Sequence, residues 1–318
     1  MKLIINIPAY NEADAIAQTT QNMPRKFEGI SETLIQVIDD GSQDDTASIA
    51  KKAGADIVIS HSTNRRLGAT FNTAVESAIN HQADIMVSID ADGQFDSAQI
   101  QEMIQPILDN EVDITIGDRF NKGTADGIPF LKNLLNRIAA KIVGSFLNVQ
   151  IHDLTCGFRA HSKEALLRLN KVTGFTYTQE TIIDAIGKKL KLKWIPVKVT
   201  YFENRKSRIV KSIWSFVNNS TKIIIKAIRD VRPMKFFGIP GLILIIASFV
   251  VFGIFLSLYL PELQITPYRN HLLVAIVLFL VGLQFVVFAL MADMIKTNRQ
   301  ITEDLLYSLK KQKYDKTK

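Results

Sequence analysis

Residues 90–94 read Asp-Ala-Asp-Gly-Gln, directly after an apolar run, Ile85-Met86-Val87-Ser88-Ile89, that reads as a buried strand. In an extended segment Asp90 and Asp92 point to the same side, so both carboxylates can address one ion or one ligand. With Gln94 as a third donor, these oxygens suit a hard cation such as Mg²⁺ or Mn²⁺. Taken alone, Asp-x-Asp fits a solvated turn as readily as a metal site. A second set of side chains carries the opposite charge: Arg119 in GDRF, Arg159 in CGFR, and Arg205, Lys206, Ser207 and Arg208 in ENRKSRI. Arginine makes planar, bidentate contacts to phosphate. A surface charge is the plain alternative for each of them.

Two common phosphate cradles are missing. The first apolar run leads into NIPAYNE, not G-x-G-x-x-G, and no G-x-x-x-x-G-K-[ST] occurs in the chain. This counts against a dehydrogenase and a P-loop NTPase. A diphosphate bound without such a loop needs another source of positive charge, which a divalent cation and the arginines would supply.

The elements that must position these groups alternate. Strands are predicted at Leu3–Ile7, Leu34–Ile38, Asp56–Ile59, Ile85–Ile89 and Ile114–Ile116, with helices over 11–22, 43–53, 67–80 and 97–109. Strands separated by helices of this length predict an α/β fold with a mostly parallel sheet covered on both faces. Ligands on such sheets sit at the carboxyl ends of the strands. That aligns Pro8–Glu12, Asp39–Asp40 and Asp90–Gln94 along one edge.

The formal charge of +7 is unevenly spread: residues 1–120 carry a net −11 and residues 121–318 a net +18. The basic part should face something anionic, either nucleic acid or a phospholipid surface. Two apolar stretches, 238–260 and 272–294, each reach the roughly 20 residues that a bilayer core requires. Lysines and arginines flank the pair on both outer sides, while the short link between them carries only Arg269 as a firm positive charge. The positive-inside rule then puts both flanks, and both termini, in the cytoplasm. A buried soluble hairpin is the alternative, but buried helices rarely stay apolar on every side for this length. Residues 212–233 mix apolar residues at helical spacing with Lys and Arg, as suits a helix lying on a membrane surface or an ordinary amphipathic core helix. Positive charge that flanks apolar spans argues for lipid, and no nucleic-acid partner is expected. The opening MKLIINIPAYNE lacks a signal-peptide profile, so the front domain is expected to stay cytoplasmic. One cysteine, Cys156, forms no intrachain disulfide. The Lys-rich residues 310–318 read as disordered.

Five motifs occur in a fixed order: IPAYNE at 7–12, VIDDGSQDDT at 37–46, DADGQ at 90–94, GDRF at 117–120 and DLTCGFR at 153–159. Together they resemble the GT-A-fold glycosyltransferases of family 2. More narrowly the set is similar to the polyprenyl-phosphate glycosyltransferases, which include dolichyl-phosphate mannose synthase and bacterial glucosyl relatives. The resemblance covers about residues 3–210. The Q-x-x-R-W motif of processive polysaccharide synthases is absent.

The resemblance implies a Rossmann-like GT-A domain over 1–210, a juxtamembrane helix over 211–235, a transmembrane hairpin over 236–296 and a cytoplasmic basic tail over 297–318. It implies a metal-dependent inverting transfer of one hexose from a GDP- or UDP-sugar to a polyprenyl phosphate, with a glycolipid hydroxyl as the alternative acceptor. Pro8, Tyr10, Asn11, Glu12, Asp39, Asp90 and Ala91 would line the nucleotide pocket, with Asp39 favoured over Asp40. Asp92 and Gln94 would bind the metal, with Asp90 beside them. Arg119, Arg159, Arg205, Ser207 and Arg208 would meet the acceptor phosphate. Asp153 matches a carboxylate that is either a base or an orienting group, and Glu180 an acid on the acceptor side or a helix N-terminal charge. Gly93 departs from the Leu or Ile often seen at that position in the family. His152 and His161 are expected to be structural. A homo-oligomer is left open.

Overall fold

The computed structural model describes residues 1–121, 125–126, 130–169, 177–200 and 213–316. They form two compact units, Met1–Ile224 with Leu305–Lys318, and Ile225–Asp304.

The first unit begins as alternation predicts: β1 (Lys2–Ala9), α1 (Ala13–Gln21), β2 (Glu32–Asp39), α2 (Thr46–Lys52), β3 (Ile57–Ser60), α3 (Arg66–Asn80), β4 (Ile85–Ser88), α4 (Ile100–Leu108) and β5 (Ile114–Asp118). It continues through β6 (Ala125–Asp126), α5 (Phe130–Leu147), β7 (Arg159–Ser162), α6 (Lys163–Arg168), α7 (Thr178–Gly187), β8 (Leu192–Pro196) and β9 (Val199–Thr200). Seven strands pair in the order β3-β2-β1-β4-β7-β5-β8. β1 is buried on both faces: Leu3, Ile4, Ile5 and Ile7 are wholly inaccessible. Each such side chain contributes roughly 1.5–3 kcal/mol of apolar burial, which explains the unbroken hydrophobic run of a central parallel strand.

Four strands, β6 to β9, escape the periodicity reading. β8 alternates weakly, and β7 is only four residues long. β7 runs antiparallel to both β4 and β5, pairing Ser88 with Arg159 and Ile116 with Arg159. The first residue of β7 therefore stands at the edge where β1, β2, β4 and β5 end.

The second unit holds most of two long helices, α9 (Pro233–Glu262) and α10 (Arg269–Lys316), preceded by α8 (Ile213–Val231). Both long helices are apolar enough to cross a membrane, and only 17% of each apolar window is buried. That exposure is the reverse of a soluble core hairpin. Where they touch, glycine permits close approach: a Cβ on Gly282 would lie 2.7 Å from Ile245 Cγ1 and 2.9 Å from the Gly241 carbonyl. Small residues at a helix crossing are how apolar helices associate without water to drive them.

The tail expected to be disordered is instead helical through Lys316. Tyr314 is buried, its hydroxyl donating to the Gln82 carbonyl at 3.1 Å, with Lys163 Nζ 3.8 Å from its ring centre. Lys310 Nζ donates to the Leu169 carbonyl at 3.0 Å. Charge density suggested solvation here, but the two tyrosines seven residues apart, Tyr307 and Tyr314, give that helix a packing face.

Candidate active site

The site lies along the carboxyl edge of the sheet. At its first part, β1 and β2 end together, with Ala9 paired to Asp39. The loops that follow clasp each other. Asn11 N–H donates to Ser42 Oγ at 2.8 Å, Asn11 Oδ1 accepts from Gln43 N–H at 2.9 Å, and Glu12 N–H donates to Thr46 Oγ1 at 2.8 Å. Asn11 takes a positive φ of 52° to do so. Pro8, Tyr10, Asn11 and Glu12 are half-buried along this seam.

Asp39 and Asp40 part company. Asp39 Oδ1 accepts from Ser42 N–H at 3.1 Å. Asp40 Oδ1 is taken by His61 Nδ1 at 2.7 Å and Arg65 N–H at 2.9 Å. Asp40 thus pins the loop after β3, and Asp39 is the one aimed along the clasp. Gly41 between Asp40 and Ser42 has φ +73°, and a Cβ there would lie 2.5 Å from the Thr63 carbonyl carbon. Only glycine fits that turn.

In the middle, Asp90–Gln94 leaves β4 as a tight turn. Asp92 Oδ1 accepts from Gln94 N–H at 3.1 Å, and Gly93 has φ +69°. Thr19 Oγ1 fixes the Ala91 carbonyl at 2.9 Å, and Thr200 N–H reaches the Gln94 carbonyl at 3.0 Å. Behind Asp90 sits Gly157, where a Cβ would lie 2.8 Å from Asp90 Oδ1. Tyr177 holds Gly157 in place, its hydroxyl donating to the Gly157 carbonyl at 3.0 Å.

Among the described residues no group of three or more His, Cys, Asp or Glu side chains gathers around one metal position. The donors present, two carboxylates and a carboxamide on one turn, cannot form an all-protein cage. They fit an ion of the Mg²⁺ or Mn²⁺ type, which keeps several waters and takes one or two carboxylates plus substrate phosphate oxygens.

In the last part, the GDRF turn after β5 meets the loop before β7. Arg119 makes a bidentate pair with Asp153: Nε to Oδ2 at 2.7 Å and Nη2 to Oδ1 at 3.1 Å. Arg119 Nη2 also donates to Thr155 Oγ1 at 2.7 Å. Asp153 is 0% exposed and Arg119 7%. Burial alone would raise the Asp153 carboxyl, but the Arg119 guanidinium and the Thr155 N–H outweigh it and hold its pKa below the ordinary value of 3.8. A carboxylate held below its ordinary pKa and already paired with a guanidinium is a poor proton acceptor. Its partner is Arg119, not Arg159.

Arg159 is 1% exposed. Nε donates to the Cys156 carbonyl and Nη1 to Thr181 Oγ1, both at 2.8 Å. It thereby ties the Cys156–Gly157 loop, and so the wall behind Asp90, to α7. Glu180 stands in the first turn of α7, half-buried. Arg205, Ser207 and Arg208 lie outside the described residues. His161 is wholly buried, and burial pushes its pKa down to about 3. His152 is half-exposed, 3.4 Å from Asp118 Oδ2 and stacked on Trp194.

Sequence reading missed Gly157, Tyr177, Thr181 and Trp194, whose indole N–H donates to the Asp153 carbonyl at 2.9 Å. Gly157 was visible inside DLTCGFR. The others lie 20 to 41 residues from their partners, and nothing local marks them.

Comparison with known proteins agrees with this architecture. The profile of the family described as Glycosyl transferase family 2 matches residues 4–169, just over half of the chain. The chain is 29% identical over 222 residues to a UDP-N-acetylglucosamine–dolichyl-phosphate N-acetylglucosaminyltransferase of Methanococcus voltae, covering 64% of this chain and 87% of that one. It is 25% identical over 275 residues to a dolichol-phosphate mannosyltransferase of Pyrococcus furiosus, covering 84% and 76%. Among solved structures, glucosyl-3-phosphoglycerate synthase of Mycobacterium tuberculosis, in complex with Mn²⁺, UDP and glucosyl-3-phosphoglycerate, superposes with a TM-score of 0.56 at 18% identity, covering 71% and 79%. The sheet order, the paired carboxylates at its carboxyl edge and the match across residues 4–169 lead to one family, and the chain belongs to glycosyl transferase family 2.

Proposed function

We propose that the protein is a membrane-anchored, metal-dependent inverting glycosyltransferase that moves one hexose from a GDP- or UDP-sugar to a polyprenyl phosphate. The observation that carries this reading is the Arg119–Asp153 pair, a low-pKa carboxylate spent on an arginine where a hydroxyl acceptor would need a base. A lipid phosphate needs none: its second pKa is about 6, so it is already a dianion near neutral pH. The names of the Methanococcus and Pyrococcus relatives, each a transferase of dolichyl or dolichol phosphate, support the same acceptor class.

In this reading Pro8–Glu12 and Asp39 hold the nucleoside. Asp92 and Gln94, with Asp90 beside them, hold a Mg²⁺ or Mn²⁺ ion, which when bound draws charge from the departing diphosphate. A phosphate oxygen of the lipid attacks the anomeric carbon from the face opposite the diphosphate. The new C–O bond forms as the old one breaks, and the nucleoside diphosphate leaves with the electron pair. Arg205, Ser207 and Arg208 receive the lipid phosphate, with Arg119 adding positive potential and Asp153 orienting it. Arg159 acts at one remove, through the loop behind Asp90, and Glu180 flanks the acceptor side. The catalytic domain and both chain ends lie on the cytoplasmic face. The test is label transfer from nucleotide sugars by the full chain in vesicles. Transfer should require added polyprenyl phosphate and a divalent ion, and Asp92→Ala should abolish it while the protein still inserts. Full activity in excess EDTA or in Asp92→Ala would sink the metal role.

A further inference from the structure

α5 has an outer face that stays exposed. Its inner residues Asn136, Ala140, Val143 and Leu147 are buried, and Asn136 Oδ1 accepts from Leu154 N–H at 3.3 Å, holding the loop that carries Asp153. On the opposite side Leu134, Ile138 and Ile142 follow at four-residue spacing and are 41%, 47% and 60% exposed. Residues four apart stack on one helix face, so these form a single apolar stripe and not scattered contacts. Arg137 and Lys141 run along its flank, exposed, and the whole helix contains no Asp or Glu. Beside it opens a cleft of about 320 Å³, lined by Arg137, Lys141, Ser145 and His152 among others.

We propose that this face of α5 docks on an anionic lipid bilayer, with Leu134, Ile138 and Ile142 at the headgroup–acyl boundary and Arg137 and Lys141 on lipid phosphates. An apolar stripe flanked by cations, with no acidic residue, is the composition that binds such a surface. Because α5 also holds the Leu154–Thr155 loop, docking would bring the Arg119–Asp153 cluster to headgroup level. The inference rests on the reading of α9 and α10 as membrane spans.

The test uses the full chain in vesicles of phosphatidylcholine with and without phosphatidylglycerol. Single cysteines at Ile138, Ile142, Glu76 and Phe249 carry an environment-sensitive fluorophore, and doxyl-labelled lipid is the quencher. The native Cys156 does not compete, since burial pushes its thiol up to about 12. Labels at 138, 142 and 249 should be quenched and the label at exposed Glu76 of α3 spared. Phosphatidylglycerol should raise quenching at 138 and 142. Arg137→Glu with Lys141→Glu should lower the docked-to-undocked ratio roughly fivefold for each cation replaced. Quenching at 138 and 142 no greater than at 76, with 249 quenched, overturns the proposal and leaves the spans standing. Energy transfer between copies labelled at 138, rising with protein density in place of quenching, would assign the face to a second copy. An unquenched label at 249 defeats the span reading and, with it, this proposal.

Discussion

Replacing Asp153 by Asn keeps the shape of the side chain but removes the carboxylate that a nearly buried Arg119 pairs with. Arg119 is 7% exposed and gives Asp153 two of its hydrogen bonds. Breaking a buried pair from one side costs about 3–5 kcal/mol. At about 2–4 °C per kcal/mol for a domain of this size, the expected fall in melting temperature is roughly 6–20 °C. Trp194 is a convenient reporter, since its indole donates to the Asp153 carbonyl and stacks on His152. The sign with pH follows from the direction of the shift. The folded carboxyl titrates below its ordinary 3.8, so the pair's contribution is complete above that value. It is lost only as pH falls through the lower folded value. The gap between wild type and Asp153→Asn should therefore be flat from neutral pH down to about 5 and close only in stronger acid. The double variant Arg119→Met, Asp153→Leu should recover most of the stability, because an apolar pair of similar volume replaces a buried ion pair at little cost. Transfer activity should not recover with it. An Asp153→Asn protein that melts with wild type, or a double variant as unstable as the single one, would refute the argument.

Further expectations follow from the same geometry. Gly157→Ala puts a methyl 2.8 Å from Asp90 Oδ1; transfer should drop on the order of a hundredfold, as for a misplacement of about 1 Å, while the secondary structure seen by circular dichroism is kept. Asp39→Asn should abolish the thermal shift given by nucleotide sugars, whereas Asp40→Asn, which weakens the links to His61 and the Arg65 N–H, should lower stability by about 1–3 kcal/mol. His161 is neutral and buried with its pKa near 3, so the unfolded chain binds the extra proton first. Stability should fall as pH drops from the ordinary 6.5 toward 3, by up to about 1.4 kcal/mol per pH unit. Denaturant titrations across that range should show a shallower fall in His161→Leu.

Much of the sheet was legible because its first five strands alternate with helices, and the short loops place each strand's end by arithmetic. Asp39, Asp90 and Asp92 come to one edge for that reason. β7 was not legible: four residues, Arg159–Ser162, carry no period of their own, and their antiparallel course is set by the neighbours Ser88 and Ile116. With it went the placement of Arg159, which sequence alone reads as a phosphate ligand and which the structure spends on the Cys156 carbonyl and Thr181. The choice of Arg119 as partner for Asp153, 34 residues away, is likewise a product of tertiary structure. The helical tail shows the opposite failure: a high lysine count concealed Tyr307 and Tyr314, whose contacts reach Glu164 and Gln82. α5 is hard to read from sequence because its apolar residues serve two faces, one buried and one exposed, and a sequence window averages them.

The most direct test of the central claim is the chemical nature of the product. Lipid extracted after transfer of labelled sugar should release free sugar in mild acid and resist alkali-catalysed ester cleavage of ordinary phospholipids, as a glycosyl phosphodiester with one hexose per polyprenyl chain. A labelled lipid stable to mild acid, or one carrying several sugars, would mean a hydroxyl acceptor or a growing chain and would contradict the account.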